Sequence, residues 1–318
     1  MEPLSETPDR AIVDGSLYGI GDAVPYSGAL SMFRRRYTKD LEDADIAISG
    51  IPYDLATVGR PGTRFGPRGL RAASTNLAWV GAPWPWTLDP FEKLAVIDCG
   101  DCVVDSGHPD RIPEAIEKHA ADILETGTAM VTLGGDHFIT YPLLKAHHRV
   151  HGPLSLVHFD AHSDTWAESD ERIDHGTMFY HAARLGLVDA GRSVHIGIRT
   201  LNDQTHGFTI IDADWVHENG PRAVAERVCE IVGGNKAYLT FDIDCLDPAF
   251  APGTGTPVCG GLSTWQAQTI IRGLTAIDFV AMDLVEVAPA YDVGEATSLA
   301  GASLLLDYFC LIASRRAA

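Results

Sequence analysis

The chain has 318 residues, an apolar content of 46% and a formal net charge of −19. This charge excludes a typical nucleic-acid-binding surface, which presents basic residues, and it favours cationic partners. No unbroken apolar run approaches the roughly 20 residues that cross a membrane, so we expect no membrane partner. The cysteines are scattered and "MEPLSETPDR" does not resemble a leader peptide, which predicts a reduced, cytoplasmic protein.

Short apolar runs predict β-strands, and most of them are separated by segments with helical periodicity. The predicted strands cover residues 45–51, 94–100, 129–135, 154–160, 194–198, 237–244 and 279–287. In the predicted helices apolar residues recur every three or four positions, over residues 111–127, 220–234 and 264–277. Continuous apolar strands alternating with helices indicate an α/β fold whose parallel sheet is covered on both faces.

Polar side chains follow the ends of four predicted strands, where loops of an open α/β sheet form ligand sites. These side chains are His137, Asp160, His162, Asp164, Asp242, Asp244 and Glu286. A single D-x-D or GGDH segment is typical of a turn. Three such segments in one sheet favour a shared site instead. Because unpaired carboxylates are very costly to bury, the cluster needs water, a partner or a metal.

The spacing within "DAHSD" (160–164) favours two metal ions over one. On a continuous strand Asp160 and Asp164 would lie about 13 Å apart, so we expect the strand to end near His162 and turn back. Residues two apart lie roughly 7 Å apart and can flank two ions separated by about 3.5–4 Å. Four aspartates balance two divalent ions, and oxygen ligands with two imidazoles suit Mn²⁺ better than a structural zinc site.

At these residues the chain resembles the ureohydrolase family, the arginase-like enzymes. "GGDH" (134–137), "DAHSD" (160–164) and "DIDCLDPAFAPGTGTP" (242–257) are similar to its signature segments, and the resemblance runs from about residue 45 to the C-terminus. It implies a three-layer α/β/α fold with a mostly parallel sheet. It also implies hydrolysis of a guanidino group to urea and an amine, two Mn²⁺ ions per subunit, and a homotrimer or homohexamer.

The resemblance also assigns the metal ligands. One Mn²⁺ would be held by His137, Asp160, Asp164 and Asp242, and the other by Asp160, His162, Asp242 and Asp244. Asp160 and Asp242 would then bridge the two ions. A hydroxide between the ions would attack the guanidinium carbon, since two divalent ions lower the pKa of a bridging water.

Three further roles follow from the resemblance and from the chemistry of the groups. Asp164 would accept a hydrogen bond from the hydroxide and carry a proton to the departing amine. Glu286 would bind the guanidinium through two parallel hydrogen bonds. His175 would move a proton or orient the substrate, for which an imidazole is suited.

The substrate is expected to be a small guanidino cation. "GGDHFITYPLL", "DHGTMFY" and "VEVAPAYD" are similar to segments of family members that hydrolyse agmatine to putrescine and urea. Sister enzymes act on 4-guanidinobutyrate or 3-guanidinopropionate, whose tails end in a carboxylate. In residues 164–176 acidic residues outnumber the single Arg172, which favours a cationic tail. A catalytically inactive metal-binding or regulatory relative is the alternative, but no ligand position has been lost.

Three predictions concern the surroundings of the site. Strand alternation is taken to direct His158 away from Asp160, as a hydrogen-bonded core histidine. The Gly- and Arg-rich segment 59–71 is implied by the resemblance to lie near the active-site mouth. Residues 1–40 are predicted to form an arm that packs on a neighbouring subunit, and residues 41–318 a single catalytic domain.

Overall fold

A central β-sheet organises the computed structural model, which describes residues 17, 28–167 and 173–316. Within these residues the sheet has nine strands: β1 (Arg36–Tyr37), β2 (Ile46–Gly50), β3 (Val96–Asp101), β4 (Ala129–Leu133), β5 (Ser155–Phe159), β6 (Val194–Ile198), β7 (Thr209–Asp212), β8 (Lys236–Asp242) and β9 (Asp278–Val285). Their order is β1-β3-β2-β4-β9-β8-β5-β6-β7, and every neighbouring pair is parallel.

Helices cover both faces of the sheet. They are α1 (Gly66–Ser74), α2 (Pro90–Lys93), α3 (Ile112–Leu124), α4 (Thr140–His151), α5 (Met178–Arg184), α6 (Ala213–Val232), α7 (Thr264–Gly273) and α8 (Ala296–Arg316). One apolar cluster joins α1, α6, α7 and α8 to the sheet, and a second cluster joins α3, α4 and α5 to the opposite face. The predicted three-layer α/β/α fold with a parallel sheet is therefore confirmed.

The sequence predicted seven of these strands and missed the two outermost. β1 and β7 are short, and short edge strands carry little apolar pattern. Helix α6 begins before its predicted range because Gly220, with φ of 82°, and Pro221 interrupt its periodicity. Helix α8 was missed because it is buried around most of its circumference, which removes the 3.6-residue periodicity of a half-exposed helix.

Helix α8 is also the one helix among the described residues that is long and apolar enough to cross a membrane, with a mean hydropathy of 1.6. Of that apolar window, 78% is buried inside the protein. Its side chains pack on the sheet and on α1 and α7. This is the arrangement of a core helix in a globular protein.

The end of the segment predicted as an arm lies within the sheet. Met32 and Phe33 are completely buried, and β1 pairs with β3. Residues 1–16 and 18–27 lie outside the described residues. The packing of an arm on a neighbouring subunit therefore stays a prediction.

The strand order brings the predicted site residues together. Strands β4, β9, β8 and β5 are consecutive neighbours in the sheet. Because all of them are parallel, their carboxyl ends lie at one edge. The loops that follow carry His137, Glu286, the Asp242/Asp244 pair and residues 160–164, so residues far apart in sequence meet over the middle of the sheet.

A buried ion pair fastens helix α1 to the sheet. Asp98 on β3 accepts hydrogen bonds from Arg71 Nε (2.8 Å) and Nη2 (3.0 Å). The same carboxylate accepts the backbone N–H groups of Met32 (2.7 Å) and Gly100 (2.9 Å). Since both charged groups are almost fully buried, removing either leaves an uncompensated charge in the core.

We expect Arg71→Met to lower the free energy of unfolding by about 3–5 kcal/mol, because it leaves Asp98 buried without its cation. The matched control is Lys118→Met, which removes an exposed pair with Asp122 and should cost at most about 0.5 kcal/mol. Urea denaturation at equal protein concentration measures both. Losses of similar size in the two variants would contradict the assignment.

Candidate metal centre and substrate cavity

The turn after β4 fixes the position of His137. A Cβ atom on Gly135 would lie 1.8 Å from the carbonyl oxygen of Tyr53, so only glycine allows the two backbones to pass. Asp136 N–H donates to that carbonyl (2.7 Å), and the Asp136 carboxylate accepts Phe138 N–H (3.2 Å). The cap starts a 3-10 turn with His137 as its first residue.

His137 faces three carboxylates. Its Nδ1 atom lies 3.1 Å from Asp160 Oδ2, 3.1 Å from Asp164 Oδ2 and 3.3 Å from Asp242 Oδ2. The histidine and all three aspartates are buried. The structure thus brings together the four residues that the resemblance assigned to one ion.

His162 forms a second group beside the first. Its Nδ1 atom lies 3.2 Å from Asp160 Oδ1 and 3.2 Å from Asp244 Oδ2. Asp160 therefore belongs to both groups, with one oxygen towards each histidine. Asp242 has only one oxygen towards a histidine. Its Oδ2 faces His137, and its Oδ1 accepts the backbone N–H of Asp244 (2.8 Å).

A hydrogen-bond relay behind His137 determines which nitrogen faces the acids. Thr240 Oγ donates to Asp283 Oδ1 (2.6 Å), so it must accept from His137 Nε2–H at 2.8 Å. Burial lowers the pKa of His137, but Asp160, Asp164 and Asp242 outweigh it and raise the pKa well above its usual range. Without a cation, Nδ1 therefore holds a proton that these oxygens accept, and a bound cation would replace that proton at the Nδ1 lone pair. Such a donor set is stable only with a positive charge between its members, and it fits a metal cation.

The pKa values of the aspartates also indicate that the site favours a positive charge. Burial and the negative charge of Asp160 raise the pKa of Asp164 to about 7. Burial and the charges of Asp244 and Asp160 raise the pKa of Asp242 well above its usual range. Burial also acts on Asp160, but hydrogen bonds from His137 and neighbouring imidazoles outweigh it and hold the Asp160 pKa well below its usual range. Four aspartates in this space thus fit two divalent cations.

The prediction that His158 points away from Asp160 was wrong. His158 Nε2 lies 2.8 Å from Asp160 Oδ2. Residues two apart on a strand share a face, so alternation places both side chains on the same side. The ring is nevertheless a hydrogen-bonded core histidine, because it is fully buried and its Nδ1 lies 2.8 Å from His195 Nδ1.

A cavity of about 310 Å³ opens above the two groups. Its described lining contains three acids, two histidines and an indole but no lysine or arginine: Val58, His162, Asp164, Trp166, Asp174, His175, Gly176, Thr177, Asp242 and Thr256. Segment 59–71 begins next to Val58 at this mouth. Residues 168–172, including Arg172, lie outside the described residues.

Glu286 lies beside the cavity with one oxygen in use and the other free. It follows β9 in a left-handed conformation, with φ of 62°, and is 1% exposed. Oε1 accepts the backbone N–H of His137 (2.9 Å) and lies 3.0 Å from His175 Nδ1. Oε2 is buried without a hydrogen-bond partner. A buried carboxylate oxygen in this state is suited to receive a donor from a ligand.

His175 has a partner at each ring nitrogen. Nε2 accepts the backbone N–H of Val58 (3.0 Å), which leaves Nδ1–H to donate to Glu286. Burial lowers the pKa of His175, but Glu286 outweighs it and raises the pKa to about 9. The Val58 N–H opposes protonation because it needs the Nε2 lone pair. This arrangement favours an orienting role, since a shuttle at Nε2 requires the Val58 contact to open.

Two supporting residues had a sequence signal that was missed. His158 and Thr240 each lie two positions before a predicted ligand, Asp160 or Asp242, on the same strand. A polar residue at that spacing shares the ligand's face and is placed to hold it from below. The cavity residues Trp166 and Thr256 had no such signal, because they lie in loops whose direction the sequence does not determine.

The chain belongs to the arginase family, whose sequence profile matches residues 44–310. An agmatinase of Chromobacterium violaceum is 50% identical over 312 residues, 98% of this chain and 97% of that protein. The X-ray structure of a hypothetical agmatinase from Burkholderia thailandensis has 55% identity, covers 98% of this chain and 99% of its own, and gives a TM-score of 0.95. Proclavaminate amidino hydrolase from Streptomyces clavuligerus has 32% identity, with 92% and 100% coverage and a TM-score of 0.85. The family prediction is confirmed.

The shared position of Asp160 predicts different metal stoichiometries for two variants. Asp160→Asn should retain no tightly bound Mn²⁺, because it removes charge from both groups. Asp244→Asn should retain about one ion per subunit, because the Asp244 carboxylate lies beside His162 and is not among the acids that face His137. Elemental analysis after gel filtration measures the ratio, with Asp122→Asn on the protein surface as the two-ion control. Equal losses in the two site variants would contradict the division into two groups.

Proposed function

We propose that this protein hydrolyses agmatine to putrescine and urea with two Mn²⁺ ions. The observation that carries the proposal is the cavity itself, where two His/Asp groups lie beside the unpartnered oxygen of Glu286. Relatives named agmatinase at about 50% identity over nearly the whole chain support the choice of substrate. No ligand position has been lost, which argues against an inactive relative.

The chain's own residues would hold the ions in two sets. His137, Asp160, Asp164 and Asp242 form one set, and Asp160, His162, Asp242 and Asp244 form the other. When bound, two divalent ions lower the pKa of a water towards neutrality and so supply a nucleophile for the guanidinium carbon. Asp242 Oδ1 accepts the Asp244 amide through one lone pair, and its second lone pair would be its contribution to the second set.

Glu286 would orient the guanidinium. Its Oε1 already accepts from His137 and His175, so a guanidinium N–H is expected at Oε2. This differs from a two-oxygen clamp, because only one oxygen is available. A charge-assisted hydrogen bond in a buried site still fixes the direction of a planar cation.

Asp164 would transfer a proton from the attacking water to the departing amine. Its Oδ2 faces His137, and it lines the cavity in a left-handed conformation with φ of 52°. A carboxylate held at this position can accept a proton at Oδ1 from the attacking water and deliver it to the departing amine. His175 would hold Glu286 in place through Nδ1–H.

The charge of the cavity supports a cationic tail. Apart from the proposed metal ligands, its described lining has Asp174 and the Trp166 ring but no lysine or arginine, and the whole chain carries a formal charge of −19. An ammonium is attracted by acids and by an aromatic face, whereas a carboxylate is repelled. Agmatine therefore fits better than 4-guanidinobutyrate or 3-guanidinopropionate.

We also propose that the protein is a cytoplasmic homotrimer or homohexamer, as the family resemblance implies. Sedimentation velocity of the full chain tests the assembly. A monomer at micromolar concentration would reject it.

Glu286→Gln should lower kcat/KM for agmatine about 10- to 150-fold, because a hydrogen bond to a charged group contributes about 1.5–3 kcal/mol. Its Mn²⁺ content should stay at that of the wild type, since Glu286 is not a proposed ligand. Exposed Glu125→Gln is the control and should leave both quantities unchanged. Retained kcat/KM in Glu286→Gln would reject the guanidinium assignment.

Urea release from agmatine should exceed that from 4-guanidinobutyrate, 3-guanidinopropionate and arginine by at least about tenfold in kcat/KM. Opposite tail charges near acidic groups differ by more than ~1.4 kcal/mol even with solvent screening. The assay compares Mn²⁺-loaded protein with a chelator-stripped sample, which should be inactive. Turnover only of a carboxylate-tailed substrate would keep the metal chemistry and overturn the cationic-tail assignment.

A further inference from the structure

Two buried histidines lie directly behind Asp160. His158 on β5 and His195 on β6 are register partners, and both are completely buried. Their Nδ1 atoms lie 2.8 Å apart, and His158 Nε2 lies 2.8 Å from Asp160 Oδ2. The rings pack against aromatic side chains. The ring centroids of His158 and Phe179 are 4.7 Å apart, and those of His195 and Phe208 are 4.4 Å apart.

The hydrogen bonds determine where the protons lie. An ionised Asp160 can only accept, so His158 must carry a proton on Nε2. Burial among aromatic rings favours the neutral form of both imidazoles. The Nδ1 atom of a neutral His158 is then an acceptor, and the short contact requires His195 to donate from Nδ1–H. The second nitrogen of His195, Nε2, makes no hydrogen bond of regular geometry.

This tautomer distinguishes His158 from a metal ligand. Ligand atoms of His137, His158, Asp160 and Asp164 lie within 4.8 Å of one another, so distance alone would make His158 a further donor to the first group. Its Nε2 carries a proton directed at Asp160 and has no lone pair to offer. His158 is therefore a hydrogen-bond donor to a ligand.

The donor acts on Asp160, a carboxylate that both histidine groups share. Asp160 Oδ1 accepts the backbone N–H of His162 (2.6 Å), and Oδ2 lies near His158 Nε2. With one donor at each oxygen, the plane of the carboxylate is fixed. Oδ2 also lies 3.1 Å from His137 Nδ1, and Oδ1 lies 3.2 Å from His162 Nδ1, so each oxygen faces one of the two His/Asp groups.

We propose that the His158–His195 pair is a positioning device for the bridging carboxylate: His195 sets the tautomer of His158, and His158 orients Asp160. This inference rests on the proposed metal centre. Neither histidine touches substrate, so both are positioning residues. Partners of this kind typically change metal affinity by about 10- to 100-fold when they are removed.

The first test compares two substitutions of His158. His158→Leu removes the donor, and His158→Gln keeps an amide N–H that can reach Asp160. We expect Mn²⁺ affinity to fall about 10- to 100-fold in His158→Leu and to recover to within about threefold of the wild type in His158→Gln. Competition with a fluorescent chelator measures the affinity, and the electron paramagnetic resonance spectrum reports whether two Mn²⁺ ions remain coupled.

The second test acts one step further from the metal. His195→Phe removes the donor to His158 without touching any proposed ligand, whereas the amide N–H of His195→Asn can replace Nδ1–H. We expect weaker Mn²⁺ binding in His195→Phe and recovery in His195→Asn. His119→Leu is the control, because His119 hydrogen-bonds to Ser49 on β2 and does not contact the site.

The outcomes separate this inference from the proposed function. A wild-type protein that binds no Mn²⁺ would reject the metal centre and with it the positioning role. Two ions in the wild type with unchanged affinity in folded His158→Leu would reject only the positioning role. Equal losses in His158→Gln and His158→Leu would also reject it, since they would indicate packing. If circular dichroism finds His158→Leu unfolded, the His195 pair decides by the same criteria.

Discussion

The mutual repulsion of four buried aspartates is the constraint on which the rest of the site depends. Carboxylates in one buried space cannot all remain ionised unless positive charge lies among them. The parallel sheet creates the problem, because the loops after β4, β9, β8 and β5 converge at one edge. The same loops also supply two imidazoles beside the carboxylates, and a site of this kind can hold cations that offset the repulsion. Metal binding and substrate binding are thus both consequences of where the strands end.

The sequence predicted the layered fold and the polar clusters because these depend on local patterns. Apolar runs defined the inner strands, and the motifs at their ends identified the site residues. Helix α8 was not predicted, because a helix that is buried around most of its circumference has no amphipathic pattern. The adjacency of β4, β9, β8 and β5 was equally hidden, since strand order is a property of the whole chain. The misplacement of His158 had another cause, which was a wrong use of strand alternation.

Glu286 links the proposed guanidinium-binding position to the His/Asp groups. Its Oε1 accepts the backbone N–H of His137, whose side chain belongs to the metal groups, and its own backbone N–H donates to Gly135 (2.8 Å). The proposed guanidinium-binding carboxylate and the first metal-binding histidine are therefore joined by a direct hydrogen bond. No sequence pattern indicates this link, because it depends on a left-handed residue after β9 meeting the turn after β4.

The relay from His137 through Thr240 to Asp283 extends into the middle of the sheet. Asp283 also accepts hydrogen bonds from Thr140 (2.8 Å) and Tyr238 (2.8 Å), so residues of β8, β9 and α4 meet at one carboxylate. In this scaffold, protein groups hold the imidazole of His137 through Nε2. The conformational entropy of ordering the ligands is then lost when the chain folds and not when it is loaded. In small domains whose fold depends on the metal, by contrast, the ion itself orders the ligands.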